Sequence, residues 1–251
     1  MQEPAKVATT GAAPEGAQDE RSAAAAVRQM FSAVAPRYDL LNHLLSLNVD
    51  RLWWRRAARS FAPILARPEA RVLDLCCGTG DLALALRRQT RGDRPAILAA
   101  DFSHAMLERA TRKFRGRNLS ALEADALRLP FPDASFDLVV SAFGFRNLAN
   151  YETGLREMHR VLRPEGECGI LEFQEPRGFT GAVYGLYFRH VLPAVGGMIS
   201  GVRGAYAYLP ASVRRFPGAE EMLALMRAAG FREVSWMPYT FGIAGLFRGK
   251  K

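Results

Sequence analysis

The sequence predicts an α/β fold built on a doubly wound, mostly parallel sheet of seven strands. Short apolar runs alternate with stretches in which apolar residues recur at helical spacing, and this alternation is typical of parallel βαβ units. The last two runs follow each other without a helical stretch between them, so we expect a hairpin-like edge there. The runs predicted as strands are 71–75, 96–100, 118–122, 135–141, 166–173, 234–237 and 243–247.

The helices between the strands are predicted from apolar spacing. Leu82 to Arg88, Ala105 to Phe114 and Gly154 to Leu162 each place apolar side chains three or four residues apart, which gives a helix one apolar face. Pro164-Glu165-Gly166 is a turn signal ahead of the fifth strand. No internal repeat is visible.

Two further stretches, residues 27–65 and 179–209, lie outside this alternation. The first predicts a helical N-terminal cap, and the second is an aromatic, glycine-rich helical insertion with few acidic residues. We expect both to lie over the carboxyl ends of the strands and to close a pocket around an apolar substrate. We expect several of the aromatic residues of the insertion to line this pocket, from among Tyr184, Tyr187, Phe188, Tyr206 and Tyr208.

The first 26 residues are rich in Ala, Gly, Pro and charge without apolar periodicity, so we predict a disordered tail at 1–26 and one domain at 27–251. Acidic residues precede any apolar run, which excludes a signal peptide. No run approaches the ~18 apolar residues of a membrane span.

Charge and cysteines limit the partners and the compartment. The chain has a net charge of +9, and the tail carries −2, so the rest carries +11, an excess that suits an anionic surface or simple solubility. No nucleic-acid motif or aromatic interleaving accompanies the arginines. Three cysteines without zinc spacing exclude a disulfide framework, so we expect a reducing cytoplasm and no metal site.

A glycine turn followed by an acidic strand end predicts a nucleoside-binding site. Val72–Leu75 leads into Cys76-Cys77-Gly78-Thr79-Gly80, whose glycines let a ligand approach the main chain. Asp101 ends the next strand, at the edge where open α/β sheets bind ligands. A carboxylate there can accept two hydrogen bonds from a ribose diol.

The details of the turn favour S-adenosylmethionine over a dinucleotide. A dinucleotide fingerprint needs a third glycine, and this chain has Ala83 at that position. Asp81 at the predicted helix start would repel a pyrophosphate, whereas a cofactor with a positive centre and no phosphate is compatible with it.

The third strand end offers a site for the base. Asp125 can accept the adenine amino group, and the Ala126 backbone N–H can donate to a ring nitrogen. Asp125 alone would be read as a cap on the turn before Pro130, but its position after Gly78 and Asp101 at successive strand ends favours the binding role.

These motifs, in this order, resemble a class I S-adenosylmethionine-dependent methyltransferase, and more narrowly the C-methyltransferases of menaquinone and ubiquinone biosynthesis. The resemblance extends from about residue 27 to the end, and its most specific element is Phe143-Gly144-Phe145-Arg146-Asn147. The other matching segments are residues 31–42, 78–81, 129–133, 136–137, 160–164, 171–173 and 206–217. Residues 158–160, 215–218 and 238–242 are more similar to the menaquinone branch.

The resemblance implies methylation of a ring carbon of a prenylated quinol. It assigns cofactor binding to Gly78, Thr79, Gly80, Asp101, Asp125 and Ala126. Arg146 would stabilise the quinol's phenolate and Asn147 would orient Arg146. A lipid-like substrate further implies peripheral contact with the inner face of the membrane, while the oligomeric state stays open, with a homodimer as one option.

The sequence also departs from the family pattern at Ala142, Gln174, Ala211 and Phe247, where polar residues are usual. These departures leave open the benzoquinol of the ubiquinone branch or another small apolar acceptor methylated at oxygen or nitrogen. A cofactor-binding subunit without catalysis and a nucleic-acid methyltransferase are the remaining alternatives.

Overall fold

The structure is a computed structural model and describes residues 11–39, 46, 48–92, 94–176 and 203–251. Most of the 179–209 insertion, with Tyr184, Tyr187, Phe188 and the Tyr206 side chain, therefore lies outside the described residues. Tyr208 lies within them. Among the described residues, no helix is long and apolar enough to cross a membrane.

The sheet has seven strands in the order β3-β2-β1-β4-β5-β7-β6. The first five strands are mutually parallel, and β7 lies antiparallel between β5 and β6, which confirms the mostly parallel doubly wound sheet. The strands are β1 (Arg71–Leu75), β2 (Ala96–Asp101), β3 (Leu119–Glu123), β4 (Phe136–Ala142), β5 (Leu162–Phe173), β6 (Arg232–Tyr239) and β7 (Ala244–Lys250).

Helices cover both faces of the sheet. On one face the helices pack through a core that includes Trp53, Leu82 and Phe114. On the other face they pack through a core that includes Leu155 and Met222. The helices are α1 (Glu20–Val34), α2 (Val49–Ser60), α3 (Ala62–Leu65), α4 (Asp81–Arg87), α5 (His104–Phe114), α6 (Tyr151–Val161), α7 (Arg203–Arg215) and α8 (Ala219–Ala228).

The central strands are buried on both faces. Leu138, Val139 and Val140 of β4 are each at most 2% exposed, which explains why this strand reads as a continuous apolar run. The carboxyl ends of β1, β2 and β4 meet at one edge of the sheet, where the glycine turn, Asp101 and the segment after β4 come together.

The fifth strand starts earlier than predicted, at Leu162 instead of residue 166. The expected turn at 164–166 is a bulge inside β5: Glu165 has a φ of 63°, and the pairing with β4 shifts register between Phe136 and Leu138. Pro164 and Gly166 lie in this bulge. Glycine and proline in an apolar run are compatible with a turn before a strand and with a bulge inside one.

The predicted disordered tail at 1–26 is wrong for its described part, residues 11–26, because α1 begins at Glu20. Asp19 caps this helix by accepting from the Ser22 backbone N–H at 2.7 Å, while the Ser22 hydroxyl accepts from the Asp19 backbone N–H. Ala12 is buried and its N–H donates to the Leu148 carbonyl at 2.7 Å. Small residues that lack periodicity therefore gain order here from a cap and from contact with the domain.

We expect Gly80→Ala to lower the free energy of unfolding by about 2–4 kcal/mol. Gly80 has a φ of 86°, which costs an L-residue about 1 kcal/mol or more, and a Cβ there would lie 2.5 Å from the buried Phe114 ring. Urea unfolding measures the change.

Gly116→Ala is the matched control, because Gly116 has a φ of 69° and a Cβ added there would have no atom within 4 Å. This variant should lose only the conformational part, about 1 kcal/mol. Equal losses in the two variants would show that contact with Phe114 contributes nothing.

Candidate active site

A cavity opens at the carboxyl edge of the parallel strands, beneath α1. Its walls come from the glycine turn after β1, the end of β2, the β3–β4 connection and the segment after β4, and Phe31 and Tyr38 form part of its cover. The remaining lining residues are Ala24, Cys76, Gly78, Asp101, Phe102, Met106, Ala124, Asp125, Ala126, Leu127, Ala142, Phe143, Gly144, Asn147, Leu148 and Ala149.

The glycine turn presents bare backbone to this cavity. Gly78 has a φ of 54°, and the nearest atom to a Cβ built on it would be Tyr38 Cε1 at 3.9 Å, so the space beside it is open. Its N–H donates to Asp101 Oδ2 at 2.8 Å, which fixes the turn against the end of β2. Close approach of a ligand to the main chain is therefore possible here.

Asp101 is almost fully buried and holds two loops in place. Besides the bond from Gly78, its Oδ1 accepts from the Ser103 N–H at 2.8 Å. Burial raises its pKa to about 6, although the backbone N–H groups act in the opposite direction. At neutral pH the group is thus mostly a carboxylate, with lone pairs left for the hydroxyls of a ribose.

We expect the dissociation constant for S-adenosylmethionine to rise as pH falls through about 6. Protonation of Asp101 removes an acceptor and its charge, so affinity should fall by up to about tenfold per pH unit below its pKa of about 6. Isothermal titration calorimetry between pH 5 and 8 measures this. A constant affinity over that range would contradict a role for Asp101 in binding the ribose.

Asp125 and Ala126 follow β3, which β2 separates from the strand that leads into the glycine turn. Asp125 Oδ1 accepts from the Leu127 N–H at 2.9 Å, so the residue does cap the local turn, and it also lines the cavity. Ala126 is buried and lines the cavity as well. Their role in binding adenine stays a prediction.

Thr79 and Gly80 are not among the residues that line the cavity. The Thr79 hydroxyl donates to Asp39 Oδ1 at 2.5 Å and accepts from Lys113 Nζ at 3.0 Å. Lys113 also forms ion pairs with Asp39 and Asp81. These contacts connect the glycine turn to α5 and to the segment after α1, so in this structure the two residues support the turn.

Asn147 supplies a cavity-lining acceptor that no described residue uses. Its Oδ1 is buried without a hydrogen-bond partner, whereas its Nδ2 donates to the Phe143 carbonyl at 3.4 Å. A buried acceptor left unpaired is costly unless a ligand fills it, and the amino group of a bound amino-acid moiety would do so. This orphaned atom, the open backbone at Gly78 and the carboxylate of Asp101 together fit S-adenosylmethionine.

Arg146 lies beside Asn147 but outside the set of residues that line the cavity. Its Nη1 is 2.7 Å from Glu172 Oε1 and donates to the Phe143 carbonyl, and its Nε donates to Ser212 Oγ at 3.4 Å. Burial alone would lower the pKa of Arg146, but the charge of Glu172 keeps it above the ordinary value. The guanidinium is therefore a fixed, buried cation.

Comparison with known proteins places this arrangement in a family. The model of the ubiE/COQ5 methyltransferase family matches residues 16–251. The chain belongs to this family. It is a methyltransferase, and the residues before position 27 that match agree with the helix starting at Glu20.

Relatives of this ubiE/COQ5 family member share about half of its residues. It is 51% identical over 236 residues to demethylmenaquinone methyltransferase of Deinococcus radiodurans, covering 93% of this chain and 95% of that protein. It is 52% identical over 225 residues to demethylmenaquinone methyltransferase of Thermus thermophilus, covering 88% of this chain and 100% of that protein. A ubiquinone/menaquinone biosynthesis C-methyltransferase of Geobacter sulfurreducens is 45% identical over 230 residues, covering 90% and 88%.

The fold is shared with more distant proteins of known structure. An S-adenosylmethionine-dependent methyltransferase of Thermotoga maritima, described as a possible histamine N-methyltransferase, superposes with a TM-score of 0.63 at 21% identity. The match covers 90% of this chain and 99% of that one. At this identity the likeness establishes the class I methyltransferase fold alone.

Glu172 belongs to the site, although the sequence motifs did not single it out as a functional residue. It is fully buried at the end of β5, and burial raises its pKa to about 7 even though the neighbouring Arg146 acts to lower it. The signal was an acidic residue within the apolar run Ile170–Phe173, at a strand end on the ligand side of the sheet. Tyr208 lies close enough to Arg146 and Glu172 for their charges to affect its pKa, which burial raises to about 12.

Asp74 is buried as Glu172 is, but among the described residues it has no partner equivalent to Arg146. Both of its carboxyl oxygens are buried and lack a side-chain hydrogen-bond partner among the described residues, and burial raises its pKa well above the ordinary value. It does not line the cavity. In the described part of the chain, no group of three or more His, Cys, Asp or Glu side chains has metal-binding geometry.

Proposed function

We propose that this protein transfers a methyl group from S-adenosylmethionine to a ring carbon of demethylmenaquinol, which gives menaquinol. The observation that carries the proposal is the buried Arg146–Glu172 ion pair, which lies beside the cavity-lining Phe143 and Asn147. Two relatives about half identical to the chain are named for this reaction, which supports the naphthoquinol as acceptor.

The chemistry needs a nucleophilic ring carbon and a well-aligned methyl donor. When bound, the cofactor supplies an electrophilic methyl group on a sulfonium. Asp101 and the Gly78 turn would hold the ribose side of the cofactor, and Asn147 would bind its amino-acid end. Alignment of this kind can supply several kcal/mol of the barrier reduction.

Arg146 makes the acceptor reactive by stabilising negative charge on a quinol oxygen. Loss of the hydroxyl proton places electron density on the ring carbon beside it, and a cation held at that oxygen favours the deprotonated form. Glu172, Ser212 and the Phe143 carbonyl fix the guanidinium before the substrate arrives. Glu172, whose pKa is about 7, is also suited to accept a proton at neutral pH.

The apolar side chains near this pair suit a fused aromatic ring. Phe143 and Phe173 lie with ring centroids 4.5 Å apart, and Trp53 packs against both at 5.8 Å. Such a cluster offers aromatic contacts to a naphthoquinol and keeps water from the charged intermediate. We therefore infer a reduced, prenylated quinol as the substrate, bound from the side of Phe143 and Phe173.

The test uses the purified chain with tritiated S-adenosylmethionine and two chemically reduced acceptors, demethylmenaquinol and a demethylated ubiquinol precursor. Label in the naphthoquinol ring supports the proposal, and heat-denatured protein gives the background. Label in the benzoquinol alone would favour the ubiquinone branch, to which a 45% identical relative is also assigned by name. No label in either, with cofactor binding shown by calorimetry, would refute both acceptors.

A further inference from the structure

The described residues expose only three large apolar side chains, and all three lie in one region. Leu52 on α2 is 55% exposed, Met237 on β6 is 38% exposed, and Phe241 in the turn between β6 and β7 is 86% exposed. Exposed apolar side chains that are grouped in this way mark an interaction surface more often than single ones do.

Two contacts join α2 to the β6–β7 turn. Trp53 Nε1 donates to Thr240 Oγ1 at 2.8 Å. The guanidinium carbon of Arg56 lies over the Tyr239 ring, 4.4 Å from the ring centroid. Met237 shares a face of β6 with Tyr239, because successive side chains of a strand alternate. We call this region the docking face, which consists of Arg51, Leu52, Arg55, Arg56, Arg59, Met237 and Phe241.

The docking face is strongly cationic. Arg51, Arg55, Arg56 and Arg59 are exposed, since α2 directs its other side, with Trp53 and Trp54, into the core. The one acidic residue of α2, Asp50, is buried at 4% exposure. Residues 234–248 contain no acidic residue at all. The docking face thus combines four exposed cations with three exposed apolar side chains, and neither α2 nor residues 234–248 adds an exposed acid.

The backbone of the turn that carries the exposed Phe241 is strained. Thr240 and Phe241 have φ values of 47° and 56°, the left-handed region that bulky residues seldom adopt. The Phe241 ring gains no burial in return. Strain without a packing benefit is typical of residues kept for function.

The docking face is next to the substrate side of the active site. Phe173 at the end of β5 pairs with Ala244 just after the turn, so the turn lies at the same edge of the sheet as the cavity. Trp53 contacts Phe143, which lines the cavity, and also Thr240. One side chain therefore separates the docking face from the cavity wall.

We propose that the docking face binds an anionic lipid bilayer, with the arginines at lipid phosphates and Phe241 and Leu52 at the headgroup–acyl boundary. Cations around apolar tips match the charge and polarity of that surface. The aliphatic Leu52 and Met237 offer nothing for base stacking, and a second copy would bring like charges together. The inference rests on the proposed function in one respect, since a prenylated acceptor resides in the bilayer.

Vesicle sedimentation with the full chain, without cofactor or quinol, tests the docking face. We expect binding to vesicles of phosphatidylcholine with phosphatidylglycerol, little binding to phosphatidylcholine alone, and loss of binding at high salt. Arg55→Glu/Arg59→Glu should weaken the binding by about tenfold or more. Phe241→Asn should weaken it while preserving the fold, because asparagine tolerates a positive φ.

Arg112→Glu/Arg115→Glu, in the last turn and at the C-cap of α5, is the matched control, since it makes the same change in charge at exposed positions away from the docking face. Equal weakening by both double variants, wild-type binding by Arg55→Glu/Arg59→Glu, or tighter binding to RNA than to anionic vesicles would each overturn the proposal.

A methylation assay separates this inference from the proposed function. Arg55→Glu/Arg59→Glu should keep wild-type turnover with a short-chain quinol in buffer and lose it with a long-chain quinol in vesicles. If no quinol is methylated, the proposed function fails while the vesicle result still decides the docking face. Wild-type turnover of the long-chain quinol in vesicles by this variant would overturn the docking face alone.

Discussion

Replacing Glu172 with glutamine is expected to lower the free energy of unfolding by about 3–5 kcal/mol and to slow methyl transfer by about 10²–10⁴-fold. The change leaves Arg146, which is 5% exposed, as a buried charge without its counterion. It also removes the carboxylate that fixes the guanidinium and can accept a proton. Urea unfolding measures the first effect and single-turnover kinetics the second.

A double variant separates stability from catalysis at this pair. Arg146→Met/Glu172→Leu removes both charges, and replacing a buried ion pair by apolar groups is often neutral or stabilising. We expect the double variant to be at least about 2 kcal/mol more stable than Glu172→Gln, yet equally inactive. Recovery of activity together with stability would show that the pair serves folding alone.

Glu167→Gln is the matched control for Glu172→Gln. Glu167 lies on the same strand and pairs with Arg248 at 2.6 Å, but both side chains are partly exposed to solvent. Such a pair contributes about 1 kcal/mol or less. We therefore expect a small loss of stability and wild-type turnover, and the measured cofactor affinity should be unchanged in both variants.

The central strands could be predicted because a strand that is buried on both faces has apolar residues at most of its positions. Residues 71–75 and 135–141 show this, and their observed bounds differ by at most one residue. The bulge in β5 could not be distinguished from a turn, because Pro164 and Gly166 suit both. The start of α1 depends on a cap at Asp19 and on a contact from far along the chain, since Asn150 Nδ2 donates to Glu20 Oε1.

The cavity was predictable to the extent that its residues stand at strand ends. Gly78, Asp101, Asp125, Ala126 and Asn147 all line it, as their positions in the motifs indicate. The partner of Arg146 was not predictable from spacing, since Glu172 is 26 residues away and meets it only because β4 and β5 are neighbours. Pairing between strands decides such contacts, whereas a motif describes one loop at a time.

Replacing Asp101 with asparagine is expected to weaken S-adenosylmethionine binding by about 100-fold, with a smaller loss of stability. The Gly78 and Ser103 N–H groups donate to different oxygens of Asp101, so an asparagine would turn its NH₂ group toward one of these two donors. The lost charge would also remove the charge-assisted bonds that we propose between Asp101 and the ribose, which would contribute about 1.5–3 kcal/mol. The decrease in affinity through pH 6 should also disappear in this variant.

Asp137→Asn tests whether the loss at Asp101 is specific to the cofactor. Asp137 is equally buried, at 6% against 7% exposure, and it too accepts a backbone N–H, from Arg71 at 2.8 Å. It lies at the start of β4, on the opposite edge of the sheet, where it pairs with Arg67 and Arg163. We expect this variant to lose stability while its affinity for S-adenosylmethionine stays at the wild-type level. Equal losses of affinity in the two variants would mean that Asp101 acts only through the fold, because a carboxylate that binds the ribose must affect affinity beyond its effect on unfolding.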